Sequence, residues 1–232
     1  MVVSPNPASV RAPRGRAWLT VLALLATSAA GGAIAWFHVT RLGPLRTAAS
    51  GGMTPEQLAT YNAGAQLKLY LILAVLTTMV LTTILFLRWL VSAVRVAREI
   101  DPQRARATPA GAVLWWFVPV FHLFKPYFIV RSTYIASTRS ERPAIPLSFG
   151  LWWWTWIGAN LLAVVPHRIT GESPDPQTLI VATRVEFAGD ILWAVSALFA
   201  IAVILRITGA QRRALRRAGL TSSFEALGQA RK

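Results

Sequence analysis

Trp115, Trp116, His122, Lys125, Tyr127 and Arg131 fall within one short stretch of the chain. Lys125 and Arg131 can donate charge-assisted hydrogen bonds to an anion. Trp and Tyr rings combine an apolar body with a polar edge and suit the headgroup level of a bilayer. Together these six residues fit capture of an anionic lipid headgroup or a partner protein. A plainer reading fits equally well, in which the same residues anchor a helix at the interface.

Chemistry that makes or breaks bonds has no comparable support. The chain has no cysteine, and its three histidines, His38, His122 and His167, lie far apart in sequence. None has the spacing of a metal-binding motif. No GxSxG, Gly-rich phosphate loop or paired intramembrane carboxylates occur. The expectation is therefore no enzyme, no catalytic residue, no metal and no cofactor. Two polar residues interrupt apolar runs, Asn160 and Asp190. Such groups cost energy in hydrocarbon and often mark pathways or helix contacts. They support an alternative, a small oligomeric transporter or channel; Asp190 reads either as an interfacial carboxylate touching water or as an acid facing the bundle, paired with Arg184 or Arg168. A membrane-embedded lipid enzyme ranks third, because no nucleophile is visible.

The elements that position these residues follow from charge and hydropathy. Of 232 residues, 54% are hydrophobic and only 14% charged, against about 25% charged in a soluble domain. Runs free of Asp, Glu, Lys and Arg over 17–39, 69–87, 144–166 and 191–205 mark spans of about 17–39, 67–88, 146–166 and 187–207, near the ~20 residues a bilayer demands, the fourth only by including Asp190 or Arg206. The reading is an all-α polytopic membrane bundle: a basic arm over 1–16, a four-span domain over 17–208 and a basic tail over 209–232. The first run exceeds a secretory h-region and reads as an uncleaved signal anchor. Residues 40–66 read as a polar loop, with Thr54, Pro55, Glu56 and Gln57 marking a helix start inside it. The second span should continue past Arg88 to about Ile100.

Residues 110–136 read differently. The apolar part is short, and Pro119 and Pro126 bracket His122 and Lys125. Apolar runs of about 10–14 residues are more often re-entrant or interfacial than spanning. A broken helix is expected here, dipping into the cytoplasmic face.

The net charge of +15 comes from 24 Lys and Arg against 9 Asp and Glu. On the four-span topology with both termini inside, 19 basic residues lie inside and five outside, as the positive-inside rule demands. The excess is thus membrane topology, not nucleic-acid binding. Arg88, Arg95, Arg98, Arg104 and Arg106 form a basic inner face suited to anionic lipid, at about 1 kcal/mol per residue. A homo-oligomer or a membrane-protein partner is also compatible.

Arg88-Trp89, then Trp115-Trp116-Phe117-Val118-Pro119, then Leu123-Phe124-Lys125-Pro126-Tyr127, with Arg131 and Trp152-Trp153 after them, carry a resemblance. Over 88–162 the chain resembles the bacterial membrane family catalogued as domain of unknown function 4328. That family has Asn where this chain has His122, and commonly Arg where it has Lys125. The resemblance implies a multi-pass protein of the bacterial inner membrane and supplies no activity, substrate or catalytic residue.

Overall fold

The computed structural model describes residues 13–52, 54–140, 143–171 and 175–229, with backbone alone at 57, 58, 60–62 and 220–229. Most of the expected basic arm lies outside these residues, as do Arg142, Pro174, Arg231 and Lys232. The described chain is helical: α1 (Arg14–Gly51), α2 (Pro55–Ile100), α3 (Gly111–Leu114), α4 (Lys125–Thr138), α5 (Leu147–Ile169) and α6 (Pro176–Gln229).

Several boundaries follow from local chemistry. Gly52, at φ 102°, ends α1 in a conformation that suits glycine. Pro55 opens α2 and Glu56 lies in its first turn, as the sequence signature predicts. The α2 helix ends at Ile100, where Asp101 takes over: its carboxylate accepts the Arg104 amide at 3.1 Å. Asp175 starts α6 by accepting the amides of Gln177 at 2.8 Å and Thr178 at 3.0 Å.

Three expectations are corrected. Residues 40–51 are not loop, because α1 continues through Pro44 and is held by the buried Leu45. The fourth span, expected to end near 207, is part of one longer helix that runs on to Gln229. Among the described residues three helices, not four, are long and apolar enough to cross a membrane: Arg14–Gly51, Ala63–Ile100 and Pro176–Gly219. The expected span that is missing from these is the third, 146–166, which corresponds to α5; it has 23 residues and thus sufficient length. It falls short in apolarity. Trp152, Trp153, Trp154 and Trp156 carry no charge, yet indole is an interfacial group rather than a hydrocarbon-like one.

The chain forms two compact units. Unit 1 takes in residues up to Val21, Thr83–Phe149 and those from Ile201; unit 2 takes in Leu22–Thr82 and Gly150–Ala200. Unit 1 is built around Trp89, Leu90 and Ile204, none of them exposed. Buried polar groups tie its helices together. The Trp89 indole donates to Thr208 Oγ1 at 3.2 Å, and Gln211 Nε2 donates to the Ala93 carbonyl at 2.8 Å. Thr20 donates to the Leu85 carbonyl at 3.1 Å, and Arg16 donates to Ser92. Fully buried Ala97 and Ala136 pack with Ala105, where small side chains let backbones approach.

Unit 2 uses other contacts. Thr27 and Thr82 hydroxyls meet at 2.8 Å, and Ser196 donates to the Trp152 carbonyl at 3.3 Å. At Gly158 a Cβ would stand 2.8 Å from Leu192, so glycine lets α5 approach α6. Leu69, Leu73, Leu76 and Val80 stay half exposed along α2. An exposed row of that kind suits lipid rather than water.

Candidate functional site: a basic aromatic cleft in unit 1

The segment between α2 and α4 is irregular for identifiable reasons. Thr108 Oγ1 accepts the Gly111 amide at 3.0 Å and opens the single turn of α3. Pro119 then breaks the helix. Val120 has φ 65° and ψ −50°, and the Phe121 amide donates to the Pro119 carbonyl at 2.7 Å. This is a γ-turn of the strained kind, with a β-branched residue at its centre. A 3-10 turn over Phe121–Leu123 leads into α4, which Lys125 and Pro126 open. The broken helix expected over 110–136 is therefore present as α3, a turn and α4.

These turns enclose an open cleft of about 860 Å³. Its lining includes Trp115, Phe121, Phe124 and Phe128 on the aromatic side, and Arg104, Arg106, Lys125 and Arg131 on the basic side. Lys125 Nζ stands 5.4 Å from the Trp115 ring centroid, a cation–π contact, and Trp115 meets Phe121 at 5.2 Å. Arg104 is held by Asp101 at 3.5 Å and donates to the Ser140 carbonyl. Among the described residues that line the cleft, none is acidic. The volume falls within the range for small-molecule sites, about 300–1,000 Å³. An apolar aromatic wall facing several cations fits an amphiphile with an anionic head.

Of the six residues singled out from the sequence, the cleft brings together Trp115, Lys125 and Arg131. It does not include Trp116, His122 or Tyr127. Trp116 packs edge-on to Phe86 at 5.5 Å, which in turn meets Trp89 at 5.6 Å, so it serves the core of unit 1. The Tyr127 ring contacts Phe128 at 5.5 Å. The basic face divides as well. Arg104 and Arg106 join the cleft. Arg88 and Arg95 line a smaller one of about 410 Å³ with Arg16. Arg98 is exposed and lines neither.

The two polar residues of the membrane domain meet partners other than those the sequence suggested. Asn160 is exposed and donates to the Trp156 carbonyl of its own helix at 2.8 Å, so it does not bridge helices. Asp190 pairs with neither Arg184 nor Arg168 but with His38, at 3.4 Å. His38 also meets Glu186 at 3.1 Å, and Lys68 meets Glu186 at 3.4 Å. This cluster in unit 2 overturns the expectation that no paired carboxylates occur in the membrane domain, because Glu186 belongs to the apolar helix α6 and not to a loop before it. Its available signal was Glu186 and Asp190, two acids four residues apart on an apolar helix, which must share a face.

The family described as Domain of unknown function (DUF4328) matches residues 54–209, about two thirds of the chain. No curated protein and no solved structure matches it. The match takes in α3, α4 and the whole cleft lining, together with Trp89 and the Trp-rich start of α5. On that extent of match the chain is a member of the DUF4328 family.

Proposed function

We propose that this membrane protein is a non-enzymatic component of a bacterial inner membrane, and that its unit 1 cleft binds the headgroup of an anionic lipid. The observation that carries the reading is the meeting of Trp115, Lys125 and Arg131 with Arg104 and Arg106 around one cavity. The cations would hold the phosphate and the aromatic wall the adjoining apolar part. Orientation follows from charge. Among the described residues unit 1 carries 15 Lys and Arg and unit 2 five. By the positive-inside rule unit 1 belongs at the cytoplasmic face. The broken α3–α4 segment then lies at headgroup depth, where irregular backbone survives if packed against protein or water. The transporter alternative loses Asn160, which bonds only its own helix.

The test is lipid retention. The full chain, released gently from vesicles of mixed anionic and zwitterionic phospholipid, is weighed by native mass spectrometry. At about 1 kcal/mol per basic contact, exchanging Lys125 and Arg131 together for Gln should lower anionic-lipid retention roughly 30-fold. Unchanged retention by a folded double variant would leave the interfacial-anchor reading. A single cysteine at Ser140, otherwise the chain's first, tests the orientation. It should resist an impermeant thiol reagent on intact cells, and labelling there would reverse the assignment of unit 1.

A further inference from the structure

His38 is 4% exposed, yet both its ring nitrogens face carboxylates. Nδ1 lies 3.1 Å from Glu186 Oε2, and Nε2 lies 3.4 Å from Asp190 Oδ2. A neutral imidazole has one N–H donor and one bare nitrogen. Between two ionised carboxylates it would satisfy one and turn a lone pair towards the other. One further proton removes the conflict. Placed on the ring, it makes both nitrogens donors. Placed on Asp190, it lets the acid donate to Nε2.

Charge leads to the same count. Lys68 Nζ lies 3.4 Å from both Glu186 oxygens and balances that one acid. Asp190 is then balanced by its His38 contact if His38 is a cation, or needs no balance if Asp190 is itself neutral. An unbalanced charge among apolar helices is costly. The other charged or titratable groups lining the adjoining cavity are Arg41 on α1 and His167 on α5. Arg41 lies over the Phe37 ring at 5.4 Å. The cavity measures about 520 Å³ and is lined by His38, Lys68 and Glu186 as well. Among the described residues no set of side chains is arranged as a metal-ligand group, since the imidazole stands between the two acids.

We propose that His38, Glu186 and Asp190 form a proton-binding site in unit 2, whose single extra proton fastens α1 to α6. Release of that proton sets an ionised Asp190 against a bare imidazole nitrogen and loosens the two helices. The site is separate from the lipid cleft and does not depend on it.

The chain's three histidines make the test tractable. Full-length protein in lipid nanodiscs, with nitrogen-labelled histidine and carboxyl-labelled aspartate, is followed by NMR across the pH range in which it stays folded. A proton on His38 or Asp190, lost in one step as the unfolding temperature falls, is the expected result. A neutral His38 beside an ionised Asp190 at every pH would overturn the proposal. Asp190→Asn supplies an amide N–H to Nε2 without a proton, so the pH step should vanish. A folded Asp190→Asn protein that keeps the wild-type step also refutes it. Should that variant not fold, the wild-type spectra alone decide.

Discussion

Unit 1 and unit 2 draw on the same long helices, yet they handle charge in opposite ways. In unit 1 the cations outnumber their partners. Arg106 and Lys125 are exposed, Arg131 is half-buried, and among the described residues no acid lines their cleft. In unit 2 the charges are few, and three of them, Lys68, Glu186 and Asp190, gather around His38. A surplus of exposed cations contributes little to folding and much to recognition. A buried, balanced cluster does the reverse: it is sensitive to the loss of any member. Charge is thus available for a ligand in one unit and committed to the structure in the other.

The core sets the scale for breaking that contrast. Trp89 is fully buried, and its indole donates to Thr208 at 3.2 Å. Trp89→Ala should cost about 3–5 kcal/mol, the largest effect expected here. Trp154, 72% exposed in unit 2, should tolerate the same change within about 0.5 kcal/mol. Reversible unfolding in mixed micelles measures both. Similar losses at the two positions would mean that Trp154 is covered by something outside the chain.

Much of this frame was legible in the sequence, and the gaps have physical causes. Pro55 and Glu56 announced the start of α2, and Pro119 announced the break before α4, because backbone restriction is local. The reach of α1 to Gly51 was hidden, since Pro44 and polar neighbours imitate a loop while Leu45 is buried by tertiary packing. Counting α5 as a span rested on absence of charge, a test that indoles pass without being hydrocarbon-like. Trp115, Lys125 and Arg131 were found by type and met in the structure. Arg104 and Arg106 were found as a basic run, and only the turn at Asp101 brings them to the same cavity. The His38 cluster needed α1, α2 and α6 placed in space, which spacing along one chain segment does not provide.

Next in size is a direct comparison of the two kinds of charge. Glu186→Ala leaves Lys68 and His38 without their shared acid. Glu186 keeps 27% exposure, so the expected loss is about 2 kcal/mol, the low end for a buried pair. Arg106→Ala removes an exposed cation with no acidic neighbour in the cleft, and its effect should stay within about 0.5 kcal/mol. Equal losses would erase the distinction between committed and available charge. A smaller change should sharpen it. Val120 sits at φ 65° and is 66% exposed, so Val120→Gly relieves strain with little packing lost. Strain relief of about 1–3 kcal/mol, less the entropy cost of glycine, leaves a gain of about 1 kcal/mol. Val120→Ala should give no such gain. A loss on changing to Gly would show that the Val side chain, not the turn, shapes the cleft.

The smallest effect concerns Asp175, outside the charged cluster of its own unit. Hydrogen bonds from the Thr178 amide, then the Thr178 hydroxyl, hold its carboxyl below the ordinary value of 3.8. The partners are close, with the amide at 3.0 Å and the hydroxyl at 2.7 Å. Because the folded value is depressed, the stabilisation is fully present above the ordinary value. It is lost as pH falls through the folded one. Asp175→Asn keeps an acceptor at the helix start but removes the ionisation. The wild type should therefore be slightly more stable than Asp175→Asn at neutral pH, and the gap should close in acid. The His38 proton works in the other direction, strengthening its unit as protons are added. Thermal unfolding of wild type, Asp175→Asn and Asp190→Asn across pH separates the two. A gap between wild type and Asp175→Asn that persists unchanged in acid would place the origin of the cap's contribution in geometry rather than charge.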